Sequence, residues 1–200
     1  MSSGSIFSLI LGSILVNNVI FARFLGTCPY LGVSKRQDTA LGMGMAVIFV
    51  MTLCGALTWP LQAYVLAPNA LGQGIDLSFL QTIVFILVIA GLVQFVEIVL
   101  KKTAPGLYQA LGIYLPLITT NCAILGIAIL TITNKLGYLQ GIVFSAASAT
   151  GFALALLLFA GIRERLAMRA VPKALAGIPI GLVTAGILAM AFMGFTGLGK

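Results

Sequence analysis

The chain has 200 residues, of which 60% are hydrophobic and only 8% charged, with a mean hydropathy of +1.16 and a formal net charge of +7. A water-soluble globule of that composition would lack the polar surface to cover itself, so the sequence describes an integral membrane protein. In a soluble protein a charge of +7 would suggest nucleic acid; here it reports topology, and no nucleic-acid partner is expected beside the lipid bilayer.

A spanning helix needs roughly 20 apolar residues to cross a hydrocarbon core of about 30 Å. Polar punctuation predicts six spans. The first covers residues 5 to about 34 and stops at Lys35-Arg36-Gln37-Asp38; the start, Met1-Ser2-Ser3-Gly4-Ser5-Ile6, lacks the basic region of a cleaved signal peptide, so this span is expected to be retained. The second runs from about 39 to 64 and ends in a loop with Pro68-Asn69 and Gly72-Gln73-Gly74. The third starts near Ser78, where Asp76 or Ser78 can cap a helix start, and stops at Lys101-Lys102. The fourth runs from about Pro105 to Thr133 and the fifth from about 138 to 162, before Arg163-Glu164-Arg165. The sixth begins beyond Arg169 and Pro172-Lys173 and runs to Lys200.

The loops after spans one, three and five hold Lys35, Arg36, Lys101, Lys102, Arg163, Arg165, Arg169 and Lys173, against Lys135 and Lys200 on the other side. The positive-inside rule then places both termini outside and the basic loops in the cytoplasm. Arg23 lies within span one and belongs to neither group.

Two short stretches repeat. Thr27-Cys28-Pro29-Tyr30-Leu31-Gly32 and Asn121-Cys122-Ala123-Ile124-Leu125-Gly126 share Cys-x-x-Leu-Gly, each preceded by a small polar residue. Their cysteines are 94 positions apart, and Gly12 and Gly106 keep that offset. Each stretch sits in the first span of a set of three, so the second set enters the membrane from the opposite face. The expected fold is therefore an all-α integral membrane protein, a single transmembrane domain of six helices in two inverted three-helix repeats, residues 1–102 and 103–200. Spans one and four, at about 30 residues each, exceed the roughly 20 needed. Gly26 with Pro29, and Pro116 with Thr119-Thr120-Asn121, are the expected interruptions near the cysteines. Broken helices at membrane depth are tolerated where the freed backbone is buried in protein or lines a cavity, so both cysteines are expected to face the interior.

A buried cysteine ordinarily behaves as a small hydrophobe, and Cys54, in the apolar run Val50-Met51-Thr52-Leu53-Cys54, has that reading. Cys28 and Cys122 differ because they recur in matched breaks. A disulfide between them would leave the polar breaks unexplained. The alternative is a soft-metal site: thiolates select zinc, copper(I) or iron–sulfur clusters, and cluster iron is typically held by four of them. This chain offers two, so a cluster would draw the other two from a second polypeptide or a second copy. With no histidine, bis-histidine haem and a Rieske-type centre are excluded for this chain alone.

The residues resemble a known family. Phe24-Leu25-Gly26-Thr27-Cys28-Pro29-Tyr30-Leu31-Gly32-Val33-Ser34-Lys35, then Ala110-Leu111-Gly112-Ile113-Tyr114-Leu115-Pro116-Leu117-Ile118-Thr119-Thr120-Asn121-Cys122-Ala123, then Ala160-Gly161-Ile162-Arg163-Glu164-Arg165 are three blocks in the order found in the six-helix subunits of the Rnf complex, the membrane-bound ferredoxin–NAD oxidoreductase. The chain is most similar to the A type; it also resembles the Rnf E type and the D and E subunits of sodium-translocating NADH–quinone reductase. The resemblance implies a bacterial or archaeal cytoplasmic (inner) membrane and a partner of the E type with opposite topology. Each partner would give two cysteines to an intramembrane [2Fe-2S] cluster, here Cys28 and Cys122. It further implies the other Rnf subunits (B, C, D and G) as partners. Electrons would pass from ferredoxin to NAD, coupled to Na⁺ or H⁺ export, with flavins and NAD held only on those other subunits. The chain would be one component of a translocase and not catalytic alone, and it indeed lacks G-x-G-x-x-G and C-x₂-C-x₂-C runs.

Arg23, five residues before Cys28, is read as either snorkelling to an interface or tuning the cluster electrostatically. Thr27 and Asn121 are candidates to support the ligands. Glu97 reads as a helical partner of Lys101, Asn17 and Asn18 as lining the break or bonding between helices, and Ser145-Ala146-Ala147-Ser148-Ala149-Thr150-Gly151 as close helix packing. The reading from a different class is a secondary transporter or structural membrane subunit without a redox centre, its broken helices serving a solute site.

Overall fold

The computed structural model describes residues 3–34, 36–66, 81–103, 115–169, 172 and 175–195. Its helices are α1 (Ser3–Leu11), continued by a π-helical turn (Gly12–Val16); α2 (Thr27–Val33); α3 (Gln37–Leu61), continued by a second π-helical turn (Gln62–Leu66); α4 (Gln81–Thr103); α5 (Leu115–Thr119); α6 (Cys122–Thr133); α7 (Tyr138–Ala167); and α8 (Ile178–Met193). Four stretches are long and apolar enough to cross a membrane, Gln37–Tyr64, Gln81–Val99, Pro116–Thr133 and Tyr138–Ala167, and two shorter apolar helical stretches accompany them, Ile6–Val16 and Ile178–Met193. The capping residues Asp76 and Ser78, the loop with Pro68-Asn69 and Gly72-Gln73-Gly74, the start of the fourth span with Pro105 and Gly106, and Lys35, Lys173 and Lys200 lie outside the described residues.

The centre is an antiparallel pair, α3 against α7. Small residues let the two backbones approach: a Cβ on Gly44 would lie 3.1 Å from that of Ala153, and Gly55 packs directly against the Ser145 side chain. This bears out the packing role expected of the small-residue run 145–151. At one end Trp59 Nε1 donates to the Leu136 carbonyl at 2.9 Å. At the other, Gln37 Nε2 lies beside Gly161. Between these ends Met43, Val47, Val50, Met51 and Cys54 from α3 and Phe152, Leu156 and Phe159 from α7 form the buried core. Cys54 thus takes the place of a small hydrophobe. By contrast α4 exposes Ile83, Ile86, Leu87 and Phe95, an apolar surface that suits lipid or a neighbouring polypeptide and not water.

The boundaries depart from the sequence reading in three places. First, α7 continues through Arg163-Glu164-Arg165 to Ala167, beyond the expected end at 162. Arg, Glu, Leu and Ala are good helix formers, and leaving the hydrocarbon core does not oblige a helix to end. Second, α8 has 16 residues, short of the roughly 20 of a straight span.

Third, the prolines do not make the breaks. In span one the helical ladder ends at Val16, and residues 17–26 run as turns before α2 starts at Thr27. Pro29 lies in the first turn of α2, where its missing N–H would have had no helical partner. Pro116 lies within α5, and the interruption falls after it, at Thr120 and Asn121. The true breakers are polar. Asn18, fully buried, donates from Nδ2 to the Gly151 carbonyl of α7 at 2.9 Å and to the Ile14 carbonyl at 3.1 Å, while its Oδ1 accepts from Ile20 N–H at 3.1 Å. One side chain thus bonds backbone groups at the break and ties it to the central pair, as expected of Asn18.

Candidate functional site

The two interrupted segments meet. Gly26 N–H donates to Cys122 Sγ at 3.0 Å, a contact between residues 96 positions apart that joins the turn before α2 to the start of α6. Leu25 packs against Gly126, and Gly32 of α2 approaches Leu117 of α5. The cysteine motifs, paired in the sequence only by their wording, therefore face each other across a single contact region.

Gly26 is held by both conformation and space. Its φ of +79° lies in the left-handed region, where a Cβ is disfavoured. A Cβ there would also lie 2.6 Å from Cε2 of Phe152 and 3.1 Å from the Ala123 Cβ. Phe24 shares the turn with φ +55°, unusual for a bulky residue. The conformation is maintained by the bonds around it: Phe24 N–H to the Ile20 carbonyl at 3.0 Å, Leu25 N–H to Val19 at 3.1 Å, and Thr27 Oγ1 to the Phe24 carbonyl at 3.2 Å. Strain kept by such over-determination is characteristic of sites where a backbone group must be aimed. Here the group aimed is the Gly26 amide.

Asn121 caps α6. Its Oδ1 accepts from Ala123 N–H at 3.0 Å, satisfying one of the free donors of the first turn, and the residue is 3% exposed. Its Nδ2 is buried without a hydrogen-bond partner among the described residues. Thr27 occupies the first position of α2 and Cys28 the second; Cys122 occupies the first position of α6. Cys28 is exposed, whereas Cys122 is partly buried and Cys54 fully so, and all three are free thiols. Cys28 therefore does not face the interior of this chain, contrary to the expectation for both cysteines. It opens onto the surface because α2 turns its apolar side, with Pro29, Tyr30 and Val33, into the core. Among the described residues no three histidine, cysteine or acidic side chains come together as a metal site.

The element that positions Cys28 is α7. Tyr30 is fully buried and stacks on Phe159, ring centroids 4.2 Å apart with planes 15° off parallel. Arg163 Nη1 donates to the Leu31 carbonyl at 2.8 Å and to Ser34 Oγ at 2.9 Å, and its guanidinium lies over Phe159 at 5.6 Å. An arginine of α7 thus bonds one carbonyl in the last turn of α2 and the hydroxyl of the residue that follows it. Sequence reasoning counts Arg163 only as a loop charge. The one hint is its place in the third block of family-like sequence. We expect Arg163→Ala to destabilise the α2 arm by roughly 1.5–3 kcal/mol, the range for hydrogen bonds to a charged group. Faster labelling of Cys28 by a thiol reagent would report it; unchanged labelling would show that the arm is held by other contacts.

Arg23 is exposed on the turn before Cys28. Glu97 and Lys101 lie one turn apart on α4, the acid partly buried and the lysine exposed.

Comparison with known proteins identifies the family. The family described as "Rnf-Nqr subunit, membrane protein" matches residues 6–199. The A component of the ion-translocating oxidoreductase complex of Syntrophotalea carbinolica is 57% identical over 190 residues, covering 95% of each chain. The A component of the Na(+)-translocating ferredoxin:NAD(+) oxidoreductase complex of Acetobacterium woodii is 55% identical over 190 residues, covering 95% of this chain and 96% of its own. The corresponding component of the ion-translocating oxidoreductase complex of Azoarcus is 54% identical over 190 residues, again 95% of each chain. The chain is an all-helical, multi-pass membrane protein, and it belongs to the Rnf-Nqr family of membrane subunits.

Proposed function

We propose that this chain is the A-type membrane component of an ion-translocating ferredoxin–NAD oxidoreductase and that Cys28 and Cys122 supply half the ligands of an intramembrane [2Fe-2S] cluster. The observation that carries the reading is the Gly26 N–H to Cys122 Sγ contact, which ties the two interrupted segments at a thiol. Three features of the residues fit such a group. The two interrupted segments each carry one free thiol, Cys28 and Cys122, so a four-thiolate cluster here would draw its other two ligands from another chain. Cys28 opens to the surface, where a homologous E-type subunit of opposite topology would meet it. The Gly26 amide donated to Cys122 suits an anionic sulfur centre in a medium of low dielectric.

When bound, the cluster would supply one-electron transfer. The chain's own residues hold and shield it. The Gly26 turn presents an amide to sulfur, Asn121 fixes the start of α6, and Arg163 with Tyr30 fixes the arm that carries Cys28. Arg23, exposed on the same turn, is a candidate to tune the site electrostatically, and Thr27 and Asn121 support the ligands. In the membrane we place six spans in two inverted repeats, 1–102 and 103–200, with both termini outside. On this reading the chain carries electrons across the membrane interior between the other subunits, which bind flavin and NAD, while the complex exports Na⁺ or H⁺.

The test is the EPR spectrum of the reduced, intact complex. Cys28→Ser should remove one [2Fe-2S] signal while the complex still assembles. A full set of signals in that variant would refute the shared site and favour a transporter or structural subunit without a redox centre.

A further inference from the structure

At the end of the central pair that holds Arg163, a cavity of about 240 Å³ opens between the last turns of α7 and the start of α8. Its described lining consists of Arg163, Leu166, Ala167, Arg169, Ala176, Gly177 and Ile180, with two guanidinium side chains and no carboxylate. A drug-sized ligand needs roughly 300–1,000 Å³, so this space suits a small group.

Arg163 is pre-positioned there. Two of its hydrogen bonds go to Leu31 and Ser34, both from Nη1, and the Phe159 ring fixes the guanidinium plane. A guanidinium has five N–H donors, and the bonds to Leu31 and Ser34 engage only Nη1, leaving those on Nε and Nη2 able to meet a ligand. Arg169, exposed after the end of α7, adds a second charge. Directly beyond the cavity, α8 exposes Ile178, Leu182 and Val183, an apolar track leading away from the charged mouth. Two arginines over an uncovered apolar track match one class of molecule that a membrane supplies: an acyl chain ending in a negative phosphodiester.

We propose that this cavity binds the headgroup of an anionic phospholipid, phosphatidylglycerol or cardiolipin, with its acyl chains along α8. The phosphate bridges Arg163 and Arg169. Because the same Arg163 holds the end of α2, a lipid seated here also stiffens the arm carrying Cys28.

The experiment is native mass spectrometry of the intact complex, extracted in mild detergent and supplied with mixed phosphatidylglycerol and phosphatidylcholine. Arg169→Gln, and separately Ala176→Glu, which places a carboxylate at the cavity mouth from an exposed position, should each lose about one tightly retained anionic lipid per complex. Lys135→Gln, at an exposed turn between α6 and α7, should lose none. Equal anionic-lipid retention in all four proteins would overturn the proposal, and would be the outcome if an acidic segment of another polypeptide filled the cavity. Loss of the retained lipid on adding excess inorganic phosphate to the wild type would overturn the lipid assignment in favour of a free-anion site. This readout does not depend on the cluster, so it can fail while the proposed redox role stands.

Discussion

In the purified complex, Cys122→Ser is expected to erase one [2Fe-2S] signal and to reduce ferredoxin-dependent NAD reduction to background, while Cys54→Ser leaves both intact. The two thiols differ in what surrounds them. Cys122 accepts the Gly26 N–H, begins a capped helix and is partly open, all of which favour a thiolate bound to metal. Cys54 is 2% exposed within the α3 core, one helical turn from Thr58 of the same helix. Its serine variant would bury a hydroxyl at a cost of about 1–3 kcal/mol, lowering stability without touching the spectrum. Serine at 122 is a poor, hard ligand for iron, but it fits the space, so the chain should still fold and assemble. Equal spectra from Cys122→Ser and the wild type would sink the assignment. Parallel loss in both variants would show only that the fold had collapsed.

Gly26→Ala should be more damaging than its one methyl suggests. The left-handed backbone costs an L-residue about 1–2 kcal/mol, and overpacking against the Phe152 ring adds about 1–3 kcal/mol, together about 2–5 kcal/mol. Phe152 is fully buried beneath the turn, so it has little room to yield. The turn can relieve the clash only by rotating, and rotation withdraws the amide from Cys122. The expected result is a complex with low cluster content and a lowered midpoint of thermal inactivation. Gly186→Ala provides the contrast. It lies in α8 with nothing near the added carbon and no left-handed φ, so it should be neutral or slightly stabilising. Wild-type cluster content and thermal midpoint in Gly26→Ala would show that the turn tolerates rearrangement.

Hydropathy is a local property, and the spans it governs are legible: α3 and its π-helical continuation lie within a few residues of the expected 39–64. The repeat of Cys-x-x-Leu-Gly, a long-range signal written twice, points to the two breaks, which indeed touch. The chemistry of the breaks is legible only in part. A proline in a hydrophobic run reads as an interruption whether it breaks a helix or opens one, and Pro29 lies in a first turn. Asn18 and Asn121 carry the interruptions because their side chains substitute for missing backbone partners, which depends on neighbours the local sequence does not show. The exposure of Cys28 escapes sequence reasoning because helix breaking says nothing about which way the following arm turns. Arg163 is hidden for the same reason: its partners are Leu31 and Ser34, and no local pattern joins the end of one helix to the turn after another.

The glycine–serine seam between α3 and α7 limits how the molecule can change shape. Helices that meet through long side chains can slide, because rotamers absorb the displacement. Where Gly44 faces Ala153 and Gly55 faces Ser145, there is no side chain to rearrange, and sliding by one residue would drive a larger neighbour into bare backbone. The pair therefore behaves as a fixed post in the bilayer. Motion falls to the short arm hung on it, α2, held by the Tyr30 stack and the Arg163 clamp.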